Sequence, residues 1–154
     1  MKIPAIRAHQ GNRHYYITYF TYKNVADYVE KIGSHLHKST TLSEMIQRSI
    51  TDNYLDIKEY ILSQEERFFN SLVLAVYDGD PKWIEVELRY KDEAFFNLGF
   101  LEFSGDEKIF PVDGQHRAEG IKAAIEDDPS KSNEKIPVIL IGHRSDEEGM
   151  EKSR

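Results

Sequence analysis

Five contiguous residues concentrate the chemistry of this 154-residue chain: Asp113, Gly114, Gln115, His116 and Arg117. They follow Ile109, Phe110 and Val112, which read as a strand, and precede Ala118, Ile121, Ala124 and Ile125, which recur at helical spacing. A strand that enters a helix through a glycine exposes the first helical amides, where the backbone dipole favours an anion. Asp113 is a good helix N-cap, and Gly114 lets another backbone or a ligand approach closely. Arg117 offers a planar fork of donors to phosphate oxygens. His116 can donate a hydrogen bond or carry charge near neutral pH. These residues fit two readings: an anion or nucleotide-phosphate site, or a capped turn whose histidine and arginine are solvated.

Other clusters are weaker. Asp78, Asp80, Glu85 and Glu87 could make a Mg²⁺-dependent nuclease site. The lysine expected after the second acid is missing, since Leu88 and Arg89 follow. Asp78-Gly79-Asp80-Pro81 reads better as a turn, and Glu85 and Glu87 as the wet face of a strand. His35 and His37 point in different directions on a helix and would not share an ion, so no metal site is expected. Tyr15, Tyr16, Tyr19, Phe20 and Tyr22 could stack bases, but only Arg13 and Lys23 lie close by, and sheet packing is the better reading. Glu65-Glu66-Arg67 and Asp146-Glu147-Glu148 read as solvated loop charge. No Walker-type phosphate loop is present.

The elements that must hold these residues follow from patterning. Strands are expected over Ile3 to Ala8 and His14 to Thr21, with a turn at Gln10-Gly11-Asn12. Val25, Tyr28, Val29, Ile32 and Leu36 make one face of an amphipathic helix. Thr41 and Glu44 have capping-box spacing for a short helix, and another helix runs from about Asn53 to Leu62. Further strands are Ser71 to Asp78, an edge or half-buried strand from Trp83 to Leu88, Leu98 to Phe103, Lys108 to Val112 and Lys135 to Ile141. The last two flank the helix after Gly114, which suggests a βαβ-like unit. The expected class is α+β, a mixed α/β domain.

Composition bounds the rest. Forty per cent hydrophobic and 31 % charged residues suit one globular domain with a real core. Without cysteine, disulfides and thiolate metal sites are excluded. No secretory signal pattern or membrane-length apolar run is present, so a soluble cytoplasmic protein is expected, with no membrane partner. The net charge of −7 argues against a broad duplex-DNA surface in this chain.

At Asp113 to Arg117 the chain resembles the DGQHR-domain proteins, whose best-known members are the DndB-like proteins of bacterial DNA sulfur (phosphorothioate) modification. Gly120-Ile121 also match, as does the upstream Gln47-Arg48 with the helix carrying Ile57, Tyr60 and Ile61. The resemblance runs from the first strand to about Met150. It implies a ParB/sulfiredoxin-like fold, with a domain over 1–144 and a charged tail, or the start of a further region, at 145–154. Family members typically continue through another helical region, so the chain reads as a truncated form.

The resemblance also implies a ligand: ATP or another nucleoside triphosphate, with Mg²⁺, and hydrolysis as the attached activity. Gly114, Gln115, His116 and Arg117 become phosphate contacts, and Arg48 a second cation beside Gln47. His116 would donate to an oxygen or position water. Asp113 would cap the helix, or orient water or metal. The alternative is a DNA-binding transcriptional regulator of such a modification or defence locus, without turnover. DNA contact would then fall to a C-terminal region or to a homo-oligomer.

Overall fold

A computed structural model describes residues 1–31 and 53–142. Seven strands form one mixed sheet: β1 (Lys2–Gln10), β2 (Arg13–Thr21), β3 (Leu72–Val76), β4 (Lys82–Tyr90), β5 (Glu93–Glu102), β6 (Ile109–Asp113) and β7 (Lys135–Gly142). Their order across the sheet is β4-β5-β1-β2-β7-β3-β6. The helices are α1 (Tyr22–Tyr28), α2 over residues 53–63, and α3 (Gln115–Asp127). This is the α+β class expected from the pattern.

Alternation explains the strands. In β1, Ile3 and Ala5 are buried while Lys2, Pro4 and Ile6 are exposed. In β2, Thr18 and Phe20 turn inward. The inward residues of β1, β2, β3 and β7 meet Val25 of α1, Ile61 of α2, and Ala118, Ile121 and Ala124 of α3 in one core. The helices therefore cover one face of the sheet. On the opposite face Ile6 pairs with Ile17, and both remain more than a third exposed.

Two expectations are corrected. The amphipathic face starting at Val25 does not continue as helix, because α1 ends at Tyr28 and Val29 is extended. Val29 instead bridges Ile109 in parallel, and the Glu30 amide donates to the Ile109 carbonyl at 2.8 Å. A tertiary strand contact overrides the local period. The helix starts on a reciprocal box: Thr21 Oγ1 accepts from the Asn24 amide, and Asn24 Oδ1 from the Thr21 amide, both at 3.0 Å. Ile32, Leu36, His35, His37 and the Thr41/Glu44 pair lie outside the described residues.

The second correction concerns β6, α3 and β7. They are consecutive in the chain, as expected, but they do not form a parallel βαβ unit. β6 pairs antiparallel with β3, and β3 pairs parallel with β7. β6 and β7 therefore run in opposite directions with β3 between them. Hydrophobic spacing locates a strand but carries no information on its direction.

The loop from β5 to β6 is closed by one carboxylate. Glu107 accepts from the Ser104 and Gly105 amides at 3.0 and 2.9 Å and from the Ser104 hydroxyl. Partial burial pushes its pKa up, but these donors outweigh that and hold it below the usual 4.5. A depressed carboxylate stabilises the fold above its unfolded pKa and loses that contribution as pH falls through its folded value. Wild type should therefore lose more stability than Glu107→Gln between pH 6 and pH 3, by up to about 1 kcal/mol given solvent screening. Urea midpoints at the two pH values measure this; parallel profiles for the two proteins would refute it.

Candidate nucleotide-phosphate site

The motif residues lie where β6 ends and α3 begins. Asp113 is the last residue of β6, and Gly114 occupies the cap position of α3 at φ 96 and ψ 26. The expectation that Asp113 caps the helix is thus corrected. No side chain caps α3, and Asp113 stays 73 % exposed. The chain turns into the helix at a left-handed glycine, so the cap position falls one residue later than a side-chain capping pattern suggests.

The first intrahelical bond runs from the Ala118 amide to the Gly114 carbonyl at 2.9 Å. The amides of Gln115, His116 and Arg117 precede it, in the positions that a helix leaves without an intrahelical acceptor. No acidic residue lies in this first turn. The turn therefore keeps its partial positive charge.

Arg117 folds back over the glycine. A Cβ on Gly114 would lie 2.7 Å from Arg117 Nη2 and 2.5 Å from Leu72 Cδ2. The guanidinium donates to the Ser71 carbonyl at 3.2 Å and lies 3.9 Å from the Asp113 carboxylate. Its Nε is buried with no hydrogen-bond partner. Arg117 thus ties α3 to the start of β3 while keeping one donor unspent. Gln115 reaches back to the Val112 carbonyl at 3.4 Å.

These residues open onto a groove of about 430 Å³. Asp113 to Arg117 line it together with Ile57 of α2, Phe68, Phe69 and Asn70. Gln47 and Arg48, the second expected pair of contacts, lie outside the described residues.

The lining residues beyond the motif were not legible as a site in the sequence. Residues 64–71 link α2 to β3, and the expectation of solvated charge at Glu65-Glu66-Arg67 fails for Arg67. Its side chain is only 5 % exposed and pairs with Glu134 at 2.9 Å. It also donates to the Gln64 carbonyl, and to the Tyr22 hydroxyl at 3.4 Å. The signal available was two adjacent aromatics, Phe68 and Phe69, in an otherwise polar linker.

The remaining clusters do not assemble. Among the described residues no three histidine, aspartate or glutamate side chains come together in a metal-binding group. Glu85 pairs with Arg7 at 3.4 Å and Glu87 with Arg89 at 2.8 Å. The acidic nuclease reading therefore has no cluster to rest on. Within the aromatic run, Phe20 and Tyr22 are core residues, and Tyr16 packs on Trp83 with ring centroids 5.4 Å apart. No described helix is long and apolar enough to cross a membrane.

Comparison with known proteins returns one family. The family model described as DndB, DNA-sulfur modification-associated, matches residues 3–154. No curated protein and no solved structure matches the chain.

Proposed function

The chain belongs to the DndB family of DNA-sulfur modification-associated proteins, and from that premise we propose that the groove at Asp113–Arg117 binds the phosphates of a nucleoside triphosphate. The observation that carries this reading is the uncapped first turn of α3, free of acidic residues and opening into a groove with Arg117 in its wall. The Arg117 guanidinium, partly exposed, adds a cation suited to a phosphate oxygen. In this reading Gly114, Gln115, His116 and Arg117 contact phosphate. Asp113, exposed beside them, is suited to the Mg²⁺ that accompanies a triphosphate.

Hydrolysis is the further step of the proposal. The fold's own contribution would be positioning and electrostatic stabilisation of the transferred phosphoryl group. His116 would move a proton of the attacking water, and Asp113 would orient that water or the metal. The resulting cycle would serve the regulation or upkeep of DNA sulfur modification.

Calorimetric titration with ATP, CTP and GTP, with and without Mg²⁺, tests the binding. Wild type should bind at least one of them, and Arg117→Ala should bind it roughly ten-fold or more weakly, the size expected for a charge-assisted bond. Because Arg117 also holds the Ser71 carbonyl, the variant's thermal midpoint must be recorded alongside. A wild-type protein that binds neither nucleotide nor phosphate would falsify the proposal.

A further inference from the structure

The groove lined by the motif also carries an unusual side chain. Phe68 is 76 % exposed, the highest value among the exposed large hydrophobic side chains of the described residues. Its neighbours are fixed. Arg67 is buried against Glu134 on one side, and Phe69 on the other packs edge-on against Tyr60, with ring centroids 5.4 Å apart. The linker is thus pinned on both sides of Phe68, while the Phe68 ring, largely in solvent, lines the groove. An exposed aromatic on a pinned backbone gains little for the fold, and it offers a preformed flat face to a ligand. Asn70, also exposed, adds an amide with both donor and acceptor to the same groove.

We infer that Phe68 is the stacking platform for the base of a nucleotide whose phosphates lie on the first turn of α3, so that the groove recognises a whole nucleotide rather than a phosphate group alone. The inference rests on the phosphate reading above. A base has a π-face whatever its identity, so Phe68 sets affinity for nucleotides as a class, and Asn70 is the side chain placed to discriminate among base edges.

The test compares Mg-ATP with inorganic tripolyphosphate on wild type, Phe68→Ala, Phe68→Tyr and Arg117→Ala. Wild type should bind ATP more tightly than tripolyphosphate. Phe68→Ala should lower ATP affinity roughly ten-fold and leave tripolyphosphate affinity unchanged. Phe68→Tyr should retain ATP affinity, and Arg117→Ala should weaken both ligands. Unchanged ATP affinity in Phe68→Ala, with tripolyphosphate still bound, overturns the stacking role and leaves the phosphate site standing. Equal loss of both ligands in Phe68→Ala also overturns it, since Phe68 would then act through the groove's shape. Wild type binding neither ligand overturns both readings.

Discussion

Gly114→Ala should lower the stability of the protein by roughly 2–4 kcal/mol and abolish the proposed phosphate binding with it. Two costs add at this position. At φ 96 any side chain meets left-handed strain. The new Cβ would also fall 2.5 Å from Leu72 Cδ2 and 2.7 Å from Arg117 Nη2. Leu72 is fully buried at the head of β3 and cannot move aside. Arg117 would have to leave the Ser71 carbonyl. The damage therefore spreads from the turn to the junction of β3, β6 and α3. Asp113→Ala is the matching control. Its side chain is exposed and makes no cap bond, so the stability change should stay within about 0.5 kcal/mol. An N-capping aspartate would have cost about 1 kcal/mol. Urea unfolding of both variants measures the difference, and a Gly114→Ala protein as stable as wild type would sink the argument.

Gly120→Val should be comparably severe for a different reason. Gly120 lies inside α3, where glycine is about 1 kcal/mol worse than alanine as a helix former. Local propensity alone predicts that a larger residue would stabilise the helix. The packing reverses the sign. A Cβ at Gly120 would run into Ile57 of α2 and approach the Tyr54 carbonyl at 2.9 Å. The two helices touch through this glycine, so valine must push α2 off α3. The expected loss is roughly 2–4 kcal/mol, or on the order of 5–15 °C in thermal midpoint. Because Ile57 also lines the groove, ligand affinity should fall as well. The Lys58–Asp127 ion pair, at 2.7 Å, spans the same two helices but is partly exposed. Lys58→Ala should therefore cost far less than Gly120→Val. Calorimetric melting of the two variants decides between the glycine and the ion pair as what holds the crossing.

Much of the frame was legible because period and turn chemistry are local. The alternation in Lys2–Gln10 and Arg13–Thr21 and the inner face Ala118, Ile121 and Ala124 follow from side-chain spacing, and the turn at Gly11 from its residue types. The edge position of Trp83 to Leu88 was also readable. Its apolar residues are less covered than alternation implies, since Val86 and Leu88 remain 41 % and 48 % exposed. Trp83 packs inward instead, partly buried against the core and under the Arg7 guanidinium.

The misses share one cause. Val29 left its helix for a bridge to Ile109. β3 inserted itself between β6 and β7. Arg67 left solvent for Glu134. Each depends on a partner far away in sequence, which no local pattern encodes. By itself, the amino-acid order determined that a glycine-led polar motif joins an apolar strand to an amphipathic helix, and which family that motif marks. Only the tertiary structure decided that Gly114 rather than Asp113 takes the cap position, that Arg117 turns back onto β3, and that Phe68 lines the same groove as the motif. Those outcomes are set by contacts between segments some forty residues apart, where close packing and backbone geometry, rather than residue type, choose the arrangement.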